Sequence, residues 1–182
     1  MSSQDTTRPD WDQYFIDIAW AVSSRATCPV RRVGAVLVDP TTKSIKTTSY
    51  NGAPRGADHC PPHESGAQEC LALHAETNLI TNAALNGIST KGSWLYLTCT
   101  PCMKCAPLTL NAGIERVVCD DLYRDVSGVV YLRRHDVSVR VLSEEKYGVP
   151  VWSWGQKKPI YLTPQLDNWF WNKDIGGWER ID

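Results

Sequence analysis

Three observations predict an α/β fold, a three-layer α-β-α domain around a central mixed sheet of about five strands. Apolar residues recur at helical spacing in separate segments, short β-branched or aromatic runs lie between those segments, and turn residues mark each change of period. Trp11, Tyr14, Phe15, Ile18, Ala19 and Val22 place an amphipathic helix over about residues 10–25, which Pro29 closes off. Residues 33–38 (VGAVLV) form a short apolar strand ended by Asp39-Pro40, and residues 45–50 alternate as its hairpin partner. Residues 50–56 (YNGAPRG) are a turn-rich loop, and residues 57–69 have no clear period. A helix over 71–85 carries His74 and Glu76 in its first turn or two and closes at Asn86-Gly87. Residues 94–98 (WLYLT) form a buried strand. Thr100 is the expected N-cap and Pro101 the first residue of a helix running through about Asn111, which sets Cys102 and Cys105 at its start. A strand over 114–119, a helix over 126–134 and a strand over 137–142 complete the pattern α-β-β-α-β-α-β-α-β. Residues 146–182 differ in character, with Trp152, Trp154, Trp169, Trp171 and Trp178 among Gly, Pro and charged residues. They are expected to pack as an extension on the domain formed by residues 1–145.

A chain of 182 residues buries a proper core without disulfides, and 42% hydrophobic with 21% charged residues fits an ordinary soluble domain. No apolar run approaches a membrane span, so no membrane role is expected. The first residues, MSSQDTTRPD, lack the basic start and apolar stretch of a secretory signal, so a cytoplasmic location is expected. Seven cysteines in that setting point to metal binding rather than a disulfide framework. A net charge of -1 argues against a nucleic-acid coat protein and toward a small substrate, although arginines such as Arg31, Arg32, Arg55, Arg133 and Arg134 leave room for a local basic patch.

The chemistry lies in His74-Ala75-Glu76 and Pro101-Cys102-Met103-Lys104-Cys105. His74, Cys102 and Cys105 offer one nitrogen and two thiolates, three corners of a tetrahedral zinc whose fourth corner is left for water. Glu76 stands close enough to move protons to and from that water. A different use of the same residues is a closed structural zinc with Cys99 as fourth ligand, in which Glu76 has no work to do. Cys99 and Cys119 are otherwise expected to be buried strand thiols, and His135 a helix-terminal surface residue.

This two-part motif resembles the signature of the zinc-dependent nucleobase deaminases. With the VGAV strand at residues 33–36 and the YNG-x-P-x-G loop at 50–56, the resemblance narrows to the deoxycytidylate deaminases and covers roughly residues 10–142. It implies a cytidine-deaminase-like fold, hydrolysis of dCMP to dUMP and ammonia in the supply of dUMP for thymidylate synthesis, and a homo-oligomer, commonly a hexamer. It also implies regulation by dTTP and by dCTP with Mg2+. Carried over by position, Glu76 is the catalytic residue and Asn51 binds the sugar. Gly34, Ala35 and Ala75 shape the base site, Arg31 takes the 5′-phosphate, and Tyr123 and Arg124 lie near the nucleotide. Some members hold a second, structural zinc, for which Cys28, Cys60, His63 and Cys70 are the candidates and His59 a substitute for His63. The rival readings are a deaminase of a nucleoside, a modified deoxycytidylate or single-stranded nucleic acid, and a catalytically silent zinc or nucleotide-binding protein on the same fold.

Overall fold

The computed structural model describes residues 8–61 and 71–143, together with the backbone of four short strands farther along the chain. Elements follow the order α1 (Trp11–Ser23), β1 (Gly34–Val38), β2 (Ile45–Tyr50), α2 (Ala75–Leu85), β3 (Trp94–Cys99), α3 (Ala106–Asn111), β4 (Arg116–Asp121), α4 (Ser127–Arg133) and β5 (Ser138–Val141). In the tail, β6 (Val149–Val151) pairs antiparallel with β7 (Ile160–Leu162), and β8 (Trp169–Asn172) pairs antiparallel with β9 (Gly177–Arg180).

The main sheet runs β2-β1-β3-β4-β5. β1 is antiparallel to both β2 and β3, whereas β3, β4 and β5 are parallel, so the sheet is mixed as expected. Alternation sorts its side chains into two cores. Ala35, Leu37, Leu95, Leu97, Val117 and Cys119 meet Ala75 and Leu79 of α2, Ala106 of α3 and Leu132 of α4. Val36, Val38, Tyr96 and Val118 meet Phe15, Ile16 and Ala19 of α1. One helix therefore covers one face and three cover the other, which brings the carboxyl ends of the parallel strands and the starts of α2 and α3 to one edge. Gly34 lets α1 approach this closely, since a Cβ there would sit 1.9 Å from the Ala19 carbonyl oxygen.

Three local expectations change. The buried stripe of α1 is Asp12, Phe15, Ile16, Ala19 and Ser23, while Trp11 and Tyr14 are exposed, because Arg116 and Arg140 draw the Asp12 carboxylate inward. α2 begins at Ala75 instead of residue 71, because Leu73 is tied in an antiparallel bridge to Gly52 by two hydrogen bonds of 2.9 and 3.1 Å. α3 begins at Ala106 instead of Pro101, because the Thr100 hydroxyl accepts the Tyr123 amide at 2.7 Å and so does not cap a helix.

Candidate metal centre and active site

The bridge between Gly52 and Leu73 fixes the direction in which the chain enters α2. His74 occupies the N-cap position in an extended conformation, Ala75 is fully buried in the first turn, and Glu76 follows at 4% exposure. A hydrogen bond from Asn78 Nδ2 to the Tyr50 carbonyl (2.9 Å) ties the same turn to the end of β2. On the opposite side, Cys102 to Cys105 form a turn in which the amides of Cys105 and Ala106 both donate to the Cys102 carbonyl at 3.0 Å. α4 presses on this turn: a Cβ on Gly128 would lie 2.1 Å from the Pro101 carbonyl oxygen. Only a glycine admits that contact.

These supports bring His74 Nδ1 to 3.4 Å from Cys102 Sγ and 3.3 Å from Cys105 Sγ, with all three donor atoms within 4.8 Å of one another. Ligands on one tetrahedral zinc at ordinary bond lengths stand about 3.6 Å apart for a nitrogen and a sulfur. The donors are therefore spaced for a shared zinc, and they are the only such group among the described residues. The hydrogen bond from Cys105, and then that from His74, push Cys102 down to about 4, while the contact with Cys102 pushes the Cys105 thiol up and raises His74. A zinc ion bound by these three residues would require both cysteines as thiolates and His74 neutral. Cys99 lies outside the group, and burial pushes its thiol up to about 12. This leaves the fourth corner of the described set open.

Burial also pushes the Glu76 carboxyl up to about 7, with the His74 charge pulling the other way. A carboxyl held near neutrality can take up and give back a proton within one cycle.

Around this centre, Arg31 lies over one side of the Tyr123 ring at 5.6 Å and Arg124 is 5.7 Å from the same ring. Asn51 is 7% exposed, and its amide clamps the segment carrying Arg31: Oδ1 accepts the Val33 amide and Nδ2 donates to the Arg31 carbonyl, each at 2.7 Å. Gly34 donates its amide to Thr98 Oγ1 (3.2 Å), and Ala35 is fully buried facing α2. Cys28 and Cys60 are half-buried free thiols. Together with His59 they do not form a three-donor group, and His63 and Cys70 lie outside the described residues. Thr100, which anchors Tyr123, and Gly128, which seats the cysteine turn, were not predicted as site residues. Their sequence context is ordinary, and only the packing of α4 and of the loop after β4 gives them a role.

Residues 9–120 match the model of the cytidine and deoxycytidylate deaminase zinc-binding region. The chain is 39% identical over 126 residues to a deoxycytidylate deaminase of Mycobacterium phage D29, covering 62% of this chain and 95% of that one. It is 34% identical over 146 residues to a deoxycytidylate deaminase of Saccharomyces cerevisiae, covering 75% of this chain and 46% of that one. Among solved structures, the dCMP deaminase of cyanophage S-TIM5 in complex with dCMP and dUMP superposes with a TM-score of 0.67 at 30% identity, over 74% of this chain and 98% of that one.

Proposed function

The chain belongs to the cytidine and deoxycytidylate deaminase family, and on that premise we propose that it hydrolyses dCMP to dUMP and ammonia. The observation that carries this reading is a buried glutamate, Glu76, beside a three-donor nitrogen and sulfur centre. His74, Cys102 and Cys105 would hold zinc, which when bound would supply the Lewis acidity that makes water nucleophilic near neutral pH. Glu76 accepts the proton that the attacking water gives up and delivers it to the ring nitrogen next to the amine-bearing carbon. It then takes the proton of the hydroxyl just added to that carbon and gives it to the amine, so that the carbonyl forms as the C–N bond breaks and ammonia leaves. Its burial excludes bulk water from these transfers and keeps its affinity for protons near the middle of the range.

Arg31 and Arg124, both placed against Tyr123, take the 5′-phosphate through charge-assisted hydrogen bonds. Asn51 reaches the sugar with the N–H and lone pair that its two backbone bonds leave over. Gly34, Ala35 and Ala75 wall the base. Cys28 and Cys60, with His63 and Cys70, hold a second zinc beside the loop after β2; two zinc ions per chain by elemental analysis support this, and one removes it. We further propose that the tail from residue 146 packs on the catalytic domain and that the chain acts as a cytoplasmic homo-oligomer, a hexamer, governed by dTTP and by dCTP with Mg2+. Exposed Leu71, Leu85, Met103 and Leu108 support association. Ammonia release from dCMP, deoxycytidine and CMP in parallel tests the substrate. Turnover of dCMP well above the other two is expected, and turnover of deoxycytidine at an equal rate would remove the role given to the arginines.

A further inference from the structure

Thr77 follows Glu76 on α2, and its Oγ1 stands 3.7 Å from Cys105 Sγ, within reach of a hydrogen bond to sulfur. A helical threonine ordinarily turns its hydroxyl back to the carbonyl four residues earlier. Thr81 does this to Thr77 (2.9 Å), and Thr109 does it to Cys105 (3.0 Å). Thr77 does not; among the described residues its hydroxyl meets the Cys105 sulfur. The two sulfurs also differ in their surroundings. Cys102 is half-buried, whereas Cys105 is 2% exposed and has Thr77 beside it.

A cysteine that ligates a metal carries no proton, so in the loaded site the hydroxyl must be the donor. We propose that Thr77 is a positioning residue that donates a hydrogen bond to the Cys105 thiolate, fixing that ligand and drawing electron density from its sulfur so that the metal stays electrophilic. Outer contacts of this kind orient ligands and tune the metal they hold. The proposal rests on the metal site formed by His74, Cys102 and Cys105.

The full chain loaded with cobalt(II) in place of zinc tests it, because cobalt bound by thiolate shows a sulfur-to-metal charge-transfer band in the near ultraviolet. In Thr77→Val the band moves to longer wavelength and the metal binds about 10- to 100-fold more weakly. Thr77→Ser restores both. Thr77→Ala gives the same reading as valine should the valine variant fail to fold. An unchanged band and affinity in the variants lacking the hydroxyl overturn the proposal, as does a serine variant that behaves like valine. Absence of the band from the parent protein overturns the metal site itself, and the proposal with it.

Discussion

Outside the active site, Asp12 carries two ion pairs at once. Its carboxylate receives two hydrogen bonds from Arg116 (2.7 and 3.0 Å), one from Arg140 and one from the Tyr96 hydroxyl (2.9 Å), all beneath α1. Burial raises its affinity for protons, but the hydrogen bonds from Arg140, Arg116 and Tyr96 together outweigh burial and hold it below the ordinary carboxylate value of 3.8. Asp12→Asn leaves two guanidiniums short of a charge. It should cost about 3 kcal/mol in denaturant unfolding, at the low end for a buried pair, because the Arg116 and Arg140 side chains keep 22% and 32% of their exposure. A carboxyl with a depressed folded value stabilises the fold above its unfolded value and loses that contribution as pH falls through the folded one. The stability gap between parent and variant should thus be constant above pH 3.8 and close below it; a gap that widens in acid would contradict the assignment. The sequence did not reveal this residue, since an aspartate in the first turn of an amphipathic helix ordinarily faces water. The grouping of His74, Cys102 and Cys105 was legible because zinc chemistry restricts residue type and spacing far more than packing does.

At the level of elements, the five strands of the main sheet were read within one or two residues, because all five positions of β1, most of β3 and half of β4 are buried and β-branched or aliphatic runs mark such strands; the four tail strands were not read. The starts of α2 and α3 were misplaced, since the bridge from Leu73 to Gly52 and the bond from Tyr123 to Thr100 join residues distant in sequence. That correction sharpens the chemistry. His74 sits at a cap and Cys105 at the threshold of a helix, so both ligands come from rigid turns just ahead of regular structure. Gly128 follows the same logic. Gly128→Ala drives a methyl into the Pro101 carbonyl, and relieving it must move either α4 or the cysteine turn. A loss of about 1–3 kcal/mol in unfolding free energy, with weaker metal retention on dialysis against a chelator, is expected. Full retention of both would show that the turn and α4 are not coupled.

Across the whole molecule, the mixed sheet order β2-β1-β3-β4-β5 puts the carboxyl ends of three parallel strands beside the starts of α2 and α3, where α/β sheets gather ligands. The alternation of helices and strands made this architecture legible. The closeness of α1 to β1 was not, because a single glycine at position 34 permits it, and the sequence marked that glycine for the base site and not for packing. The central claim, that a buried glutamate moves protons at a zinc centre built from His74, Cys102 and Cys105, is tested most directly by Glu76→Gln. The variant should keep the parent's zinc content and lose dCMP turnover by about 10²- to 10⁴-fold; a variant that binds zinc and deaminates dCMP at the parent's rate would contradict it.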